Sequence, residues 1–236
     1  MNPLDADRRE LLCVGLSYRT APLTLRERLA LPEAHRTELL RHLAEDATEA
    51  LLLSTCNRVE VYLATDDLER GCRRVRACLG ERGGPEVLGL LHEHRGGAAL
   101  THLFRVASSL DSMVLGETQV LGQVKDALEH GRRAGTVRGE LTRAFAAAFR
   151  CAKRVRTRTA IGRATVSMAS AAVALAGGAS GGLGGKTVLL VGAGEMAEQA
   201  ARHLGRAGVG QLLVVNRTRA HAEALVARVE IGRAHV

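Results

Sequence analysis

A polar segment with a single thiol, Ser54-Thr55-Cys56-Asn57-Arg58, follows the short apolar run 50–53. A cysteine at the end of a buried strand and beside a guanidinium is placed for exposure and partial thiolate character, which a nucleophile requires. Cysteines are more often buried and inert, and spacing alone leaves that alternative open for Cys56. We adopt the inert interpretation for the cysteines in an apolar strand or predicted helices, namely Cys13, Cys72, Cys78 and Cys151.

A second candidate site is the turn Gly192-Ala193-Gly194-Glu195-Met196-Ala197, which follows an apolar run at 186–191 and opens a predicted helix. In this GxGxxA pattern Gly192 permits a tight turn, Gly194 lets the backbone approach a pyrophosphate, and the small Ala197 lets helix and strand pack. The pattern therefore predicts a dinucleotide site at a helix N-terminus. The alternative is a glycine turn that only packs.

The end of the next predicted strand indicates which dinucleotide would bind. NAD-binding proteins usually carry an acidic residue there, roughly 20 residues further on, whereas this chain has Asn216-Arg217-Thr218. A guanidinium with hydroxyl and amide donors suits a 2′-phosphate, so the sequence favours NADP over NAD. A solvated Arg217 is the alternative.

Polar side chains are also dense between His102 and Gln123, without a clear period. Such residues line a cleft or cap helices, and Ser112, Glu117 and Gln119 fit either role. The pair His92 and His94 is expected in a solvated, glycine-flanked loop with no third ligand nearby, so we predict no metal site.

Three arginines, Arg150, Arg154 and Arg158, share one face of a predicted helix. This stripe fits a phosphate backbone and equally a solvated basic face. Five aromatic residues in the whole chain are too few to favour a base-stacking platform.

The first half of the chain predicts a mixed α/β scaffold for these residues. Strands are expected at 11–16, 50–53 and 59–63, and helices at 32–45 and 68–79. This order predicts a small ferredoxin-like sheet covered on one face and closed by a glycine-rich loop at 80–84. A helical connector is expected to follow, with segments near 98–109, 119–134 and 137–159.

The second half predicts the beginning of a Rossmann-type sheet. Segment 177–185 holds six glycines in nine residues, which favours a flexible connection and a domain boundary. A strand at 186–191, buried on both faces, and another at 212–215 alternate with helices. Two parallel strands fall short of the usual three, so this domain is expected to be incomplete.

The expected organisation has three parts. A catalytic domain with its helical connector covers 1–160, and a partial NADP-binding domain covers 161–230. The last residues, 231–236, break the helical pattern and are expected to be a non-native tail.

Composition and charge narrow the function classes. A formal net charge of +8 over 236 residues favours an anionic partner, either nucleic acid or a phosphorylated cofactor. No apolar stretch predicts a membrane span, and the N-terminus lacks the pattern of a secretory signal, so a cytoplasmic location is expected. Five cysteines without a CxxC pair predict neither a disulfide framework nor a zinc site.

Five motifs, in order and widely spaced, resemble those of the glutamyl-tRNA reductases. They are Gly15-Leu16-Ser17-Tyr18-Arg19-Thr20-Ala21-Pro22, the cysteine segment 54–60, segment 110–117 (LDSMVLGE), segment 119–125 (QVLGQVK) and the glycine turn 192–196. The resemblance implies the first committed step of tetrapyrrole synthesis by the five-carbon route. Glutamyl-tRNA(Glu) is then reduced with NADPH to glutamate-1-semialdehyde, and tRNA is released.

The resemblance also implies roles for individual residues. Cys56 would form a thioester with the glutamyl group, which hydride from NADPH reduces, and His102 matches an activity-critical histidine that donates a proton or orients. Arg58 is expected to bind the substrate's side-chain carboxylate and Glu117 its α-ammonium. The positions that match the family's substrate contacts are Thr55, Asn57, Arg58, Ser112, Glu117, Thr118, Gln119 and Gln123.

The implied partners are glutamyl-tRNA(Glu) and glutamate-1-semialdehyde aminomutase. The family's full-length members form homodimers through a helical domain that is expected to be missing from these 236 residues. Two other functions stay open: a tRNA-binding module without turnover, and an NADP-linked dehydrogenase that uses Cys56 on a free aldehyde.

Overall fold

The computed structural model describes residues 9–45, 49–117, 119–162, 167–229 and 234–235. The chain forms two compact units, Met1–Thr165 and Val166–Val236. The glycine-rich segment 177–185 lies inside the second unit, where a helix takes up Gly177 and Gly178. The prediction of a domain boundary at this segment is therefore wrong.

The first unit is built on a four-stranded antiparallel sheet with the order β2-β3-β1-β4. Its strands are β1 (Glu10–Ser17), β2 (Glu49–Ser54), β3 (Arg58–Thr65) and β4 (His92–Arg95). Helices α1 (Leu23–Arg28) and α2 (Glu33–Ala44) connect β1 to β2, and α3 (Leu68–Gly83) lies between β3 and β4. The predicted mixed α/β class is confirmed, and the strand order matches that of a split βαβ unit.

Helices cover this sheet on both faces, so the prediction of one covered face is wrong. Side chains such as Val14 and Val61 pack against α1, α2 and α3. Cys13 and Tyr62, on the opposite face, pack against α4 (Gly97–Ala107), α5 (Gln119–Arg133) and α6 (Gly139–Arg158). All of β3 is buried, including its charged residues Arg58 and Glu60.

Helix α3 continues through the predicted loop at 80–84. A Cβ at Gly83 would lie 2.6 Å from Cγ2 of Val87, so close packing rather than a turn explains this glycine. The next residue, Gly84, has a φ of 91° and ends the helix.

A buried carboxylate fixes the start of the long helix α6. Glu49, at the beginning of β2, accepts hydrogen bonds from the backbone N–H groups of Arg138 (2.7 Å), Glu140 (2.6 Å) and Leu141 (3.0 Å). These are N–H groups that a helix N-terminus leaves without partners. Glu49 therefore ties the helical connector to the sheet.

The second unit contains a parallel sheet with the order β5-β6-β7. Its elements are α7 (Met168–Ala179), β5 (Thr187–Val191), α8 (Glu195–Arg206), β6 (Gln211–Val215), α9 (Arg219–Arg228) and β7 (Ala234–His235). The prediction that β5 is buried on both faces is wrong, because Leu189 is 58% and Val191 is 79% exposed. Within the described residues, β5 is an edge strand covered on one face.

The short strand β7 pairs with β6 inside the segment predicted to be a non-native tail, and the rest of 230–236 lies outside the described residues. Among the described helices, none is both long enough and apolar enough to cross a membrane.

Candidate active site

Cys56 lies in the tight turn between β2 and β3. Thr55 donates its backbone N–H to the carbonyl of Arg58 (2.8 Å), and its Oγ1 accepts from the backbone N–H groups of Asn57 (3.1 Å) and Arg58 (3.2 Å). The backbone N–H of Tyr18 donates to the carbonyl of Asn57 (2.8 Å). Cys56 itself is exposed. Thr55 and Asn57 therefore hold the turn that presents the thiol.

The electrostatic surroundings of Cys56 do not favour the thiolate. Desolvation, followed by the negative charge of Glu117, raises the pKa of the Cys56 thiol, and the opposing effect of Arg26 is smaller. Arg26, from α1, donates to the Cys56 carbonyl, so the guanidinium beside the thiol is not that of Arg58. The prediction of partial thiolate character in the free protein is wrong.

The other cysteines are less accessible, as predicted. Cys13, Cys72 and Cys78 are buried, and Cys151 is partly buried. The exposed thiol is therefore the one that the sequence singled out.

Arg58 is buried at the start of β3, with 3% of its side chain exposed. Its Nη1 donates to Glu60 Oε1 (2.6 Å), and its Nη2 donates to the carbonyl of Asp111. Asp111 Oδ2 lies 3.5 Å from both terminal nitrogens. In this conformation the guanidinium is occupied and does not line the cavity at Cys56.

His102, on α4, is 8% exposed, and its Nε2 lies 3.0 Å from Glu60 Oε1. Tyr62 donates its hydroxyl to the other oxygen, Glu60 Oε2 (2.8 Å). Burial alone would raise the pKa of Glu60, but the Arg58 guanidinium and the hydrogen bond from His102 hold it well below its usual range. An ionised Glu60 can thus accept from several donors at once and fix the ring of His102.

The two other histidines join this cluster. His92 and His94 lie on β4, paired with Gly15 and Cys13 of β1, and both are partly buried. The ring centroids of His94 and His102 are 4.4 Å apart, and those of His92 and His102 are 5.3 Å apart. The prediction of a solvated loop is wrong, because pairing with β1 turns both rings toward α4.

Cys56 and His102 line different cavities. A cavity of about 340 Å³ beside Cys56 is also lined by Arg26, Arg36 and Thr55. His102 lines a larger cavity of about 650 Å³ together with Arg19, His92, His94, Arg105 and Asp111. Glu60 links His102 to Arg58, two residues after Cys56 along the chain.

The loop 108–117 carries polar atoms without partners. Ser109 has a φ of 57°, donates its Oγ to the carbonyl of Glu117 (2.6 Å), and so closes the loop on itself. Ser112 Oγ and Glu117 Oε2 are buried and make no hydrogen bond with any described residue. Burial raises the pKa of the Glu117 carboxyl. Buried polar atoms without partners fit a ligand site better than helix caps.

The remaining predicted substrate residues lie at the start of α5. Gln119 is its first residue, and Gln123, one turn later, lines a cavity of about 260 Å³ with Ser54 and Arg36. Thr118 lies outside the described residues.

The glycine turn of the second unit has the geometry that its pattern predicts. Gly192 has a φ of 105° and donates its N–H to the carbonyl of Val215 (2.7 Å), and Gly194 is the N-cap residue of the 12-residue helix α8. No described atom lies within 4 Å of a Cβ added at either glycine. Backbone N–H groups at a helix N-terminus with this open space fit a pyrophosphate.

The other residues of the turn fall into two groups. Ala193 and Ala197 pack against the core of the unit, as small residues in this pattern should, whereas Met196 is 42% exposed and Glu195 begins α8.

Asn216, Arg217 and Thr218 follow β6 at the same end of the sheet, because Val191 pairs with Val215. Asn216 Nδ2 donates to the carbonyl of Thr218 (2.8 Å), and Arg217 is exposed. These donors beside the glycine turn fit a nucleotide with a 2′-phosphate.

Sequence reasoning missed three residues of the site: Arg26, Glu60 and Asp111. Glu60 lay on the predicted strand 59–63, but Arg58 precedes that strand, and only the observed β3, Arg58–Thr65, places the two side chains on one face. Asp111 and Arg26 come from segments distant in sequence, and only the tertiary structure places them at the site.

Fold and site together define a class of protein. It is an α/β protein of two units, one with an exposed thiol at the end of a strand and the other with a glycine turn of the dinucleotide-binding type. The family model "Glutamyl-tRNAGlu reductase, N-terminal domain" matches residues 14–159. The chain therefore belongs to the glutamyl-tRNA reductase family. A second model, "Shikimate / quinate 5-dehydrogenase", matches residues 174–235 and supports a dinucleotide-binding type of fold for the second unit.

Individual relatives agree with this assignment. The chain is 64% identical over 220 residues to the glutamyl-tRNA reductase of Myxococcus xanthus, covering 93% of this chain and 50% of the relative. It is 46% identical over 219 residues to that of Syntrophotalea carbinolica, covering 91% and 49%. The solved glutamyl-tRNA reductase from Methanopyrus kandleri matches with a TM-score of 0.62 and 37% identity, over 96% of this chain and 53% of that one. The chain thus spans about half the length of these relatives.

Proposed function

We propose that the chain carries the thiol chemistry of glutamyl-tRNA reduction, in which glutamyl-tRNA(Glu) is converted with NADPH to glutamate-1-semialdehyde through a Cys56 thioester. This is the first step of tetrapyrrole biosynthesis by the five-carbon pathway. Family membership over residues 14–159 supports the proposal. The observation that carries it is the exposed Cys56 thiol together with the buried carboxylate of Glu117, whose charge opposes ionisation of the thiol and whose Oε2 has no hydrogen-bond partner among the described residues.

In the covalent step the Cys56 thiolate attacks the ester carbonyl carbon that links glutamate to tRNA. A carbon–sulfur bond forms, the carbon–oxygen bond to the ribose breaks, and the tRNA hydroxyl leaves with a proton from solvent or a side chain. The product is a thioester, which accepts hydride more readily than a carboxylate does.

Substrate binding supplies the missing activation of Cys56. The α-ammonium of the glutamyl group would pair with Glu117 and neutralise the charge that raises the pKa of the thiol. Ser112 Oγ, also buried and without a partner among the described residues, is a further hydrogen-bond acceptor for the same group. The thiol would then ionise when substrate is present and remain protonated otherwise.

The side-chain carboxylate of the substrate is assigned to Arg58. The two terminal nitrogens of Arg58 each lie 3.5 Å from Asp111 Oδ2, and these contacts are long. The substrate carboxylate would displace them and form a bidentate pair with the guanidinium. Glu60 keeps the guanidinium in place meanwhile. His102, held by Glu60, is assigned an orienting role, and Thr55, Asn57, Thr118, Gln119 and Gln123 are the remaining proposed substrate contacts.

The second unit would hold NADPH, which supplies the hydride when bound. Its pyrophosphate would lie on the backbone of Gly192 to Ala197, and its 2′-phosphate would contact Asn216, Arg217 and Thr218. We further propose a cytoplasmic location, glutamate-1-semialdehyde aminomutase as a partner, and dimerisation in the longer family members.

The test measures NADPH oxidation by the full chain with glutamyl-tRNA, together with NADPH affinity by fluorescence titration. Oxidation should require the charged tRNA. Arg217→Ala should weaken NADPH binding about tenfold, the equivalent of one charge-assisted hydrogen bond, and leave NADH binding unchanged. Arg219→Ala, which removes an exposed arginine paired with Glu223, is the matched control. Equal losses for both nucleotides would contradict the assignment.

A tRNA-binding module without turnover is the second candidate. The exposed Arg150, Arg154 and Arg158 on α6 favour it, because they form a basic stripe on one helix face. It predicts tRNA binding that weakens steeply with salt and no NADPH oxidation in the same assay.

A further inference from the structure

A cysteine and two histidines from three separate elements converge beneath the larger cavity. One ligand atom each from Cys13 (β1), His92 (β4) and His102 (α4) lie within 4.8 Å of one another. Cys13 is fully buried, and the two histidine side chains are 17% and 9% exposed. Among the described residues, this is the group of three or more ligand side chains that is compact enough to hold a metal ion.

A second observation indicates that hydrogen bonds within the cluster do not satisfy all of its buried ring nitrogens. His92 Nε2 is buried and makes no hydrogen bond of normal geometry with any residue that the structure describes, although Glu60 Oε1 lies 3.4 Å away. The same Glu60 oxygen lies 3.0 Å from His102 Nε2. A buried ring nitrogen without a partner costs free energy that a bound cation would recover. Glu60, beside Nε2 of His102, is placed as the carboxylate that commonly orients a metal-binding histidine through its other ring nitrogen.

The cluster is also accessible from outside. His92 and His102 line the cavity of about 650 Å³, whose wall includes His94. A cation entering there would meet the two imidazoles first and the Cys13 sulfur behind them. The remaining coordination position would face the cavity and take water.

We propose that Cys13, His92 and His102 form a binding site for a borderline-soft divalent cation such as Zn²⁺. One thiolate and two imidazoles suit Zn²⁺ or Co²⁺ and are poor ligands for Mg²⁺ or Ca²⁺. On binding, the Cys13 S–H bond breaks, its proton passes to solvent, and a metal–sulfur bond forms without oxidation or reduction. The sequence predicted no metal site because the two other ligands, His102 and Cys13, lie on different elements from His92 and meet it only in the folded chain.

The site has a consequence that rests on the proposed function. Since His102 is assigned an orienting role, a metal ion bound to its ring would prevent the ring from performing that role. The cation would therefore inhibit glutamyl-tRNA reduction. Metal binding itself does not depend on that function and is measured without substrate.

The experiment titrates the reduced full chain with Co²⁺ and records its absorption. We expect a near-ultraviolet sulfur-to-cobalt charge-transfer band at one equivalent, visible bands of a tetrahedral ion, and loss of both when Zn²⁺ is added. Mg²⁺ should not compete. Cys13→Ser should abolish the charge-transfer band, whereas Cys56→Ser, which removes the exposed thiol, and Cys78→Ser, which removes another buried thiol, should retain it.

His92→Asn provides a second route to the answer if Cys13→Ser fails to fold by circular dichroism. It should weaken Co²⁺ binding by at least about tenfold. No charge-transfer band in the folded wild type, a band that is lost in Cys56→Ser, or unchanged affinity in His92→Asn would overturn the site. None of these results bears on thioester formation at Cys56, so the two proposals fail independently.

Discussion

At the scale of residues, the structure makes the Cys56 thiol accessible but does not favour its reactive thiolate form. The turn between β2 and β3 exposes Cys56, while desolvation and Glu117 hold its pKa above the ordinary thiol value. A thiol in such surroundings is protected from adventitious electrophiles at neutral pH, because the thiolate is the reactive form. Activation then has to come from whatever neutralises Glu117.

The effect of the Glu117 charge on the pKa of Cys56 predicts how Glu117→Gln changes alkylation of the Cys56 thiol. Removing the negative charge should lower the pKa of Cys56, so more thiolate is present below that pKa and iodoacetamide should react about threefold faster at pH 7. Rates are followed by mass spectrometry of the Cys56 peptide. Glu129→Gln, which removes an exposed carboxylate paired with Arg132, should leave the rate unchanged. An unchanged or slower rate in Glu117→Gln would show that its charge does not act on the thiol.

At the scale of elements, periodicity predicted most helices and strands, and the failures have physical causes. Polar residues in β3 alternate with apolar ones, yet Glu60 is buried because Arg58 and His102 provide its partners. Gly83 resembled a loop residue, but it permits close packing inside α3. The strand β4 was missed because its histidines are weak strand formers, and pairing with β1 creates it. The exposed thiol of Cys56, the glycine turn and the polar loop were visible in local sequence, whereas the charged partners Arg26 and Asp111 were not.

The contact between β1 and β3 at Gly15 gives a prediction at this scale. A Cβ there would lie 2.3 Å from the carbonyl oxygen of Val59 and 2.6 Å from Cα of Glu60. Because the obstacle is backbone, Gly15→Ala should lower the free energy of unfolding of the first unit by about 3 kcal/mol. Urea denaturation followed by circular dichroism measures it.

Gly122→Ala is the matched control for this substitution. Gly122 lies in α5 with no described atom within 4 Å of an added Cβ, so alanine should stabilise by about 0.5 to 1 kcal/mol. Equal effects at the two positions would contradict the packing argument.

At the scale of the whole molecule, the two units divide the proposed chemistry. The first, with cores on both faces of its sheet, holds the thiol and the proposed substrate contacts. The second, with a core of its own, holds the glycine turn. In the proposed reaction, thioester formation would use side chains of the first unit, and reduction would add the second. The N-terminal family model matches residues 14–159, which lie in the first unit.

The central claim is a covalent bond between Cys56 and a glutamyl group, and peptide mass spectrometry tests it directly. The reduced full chain is incubated with glutamyl-tRNA in the absence of NADPH, acid-quenched and digested. We predict a glutamyl adduct on the Cys56 peptide alone, lost in Cys56→Ser and retained in Cys78→Ser. An adduct on another cysteine, an adduct in folded Cys56→Ser, or none in a folded wild type that binds the tRNA would contradict the account.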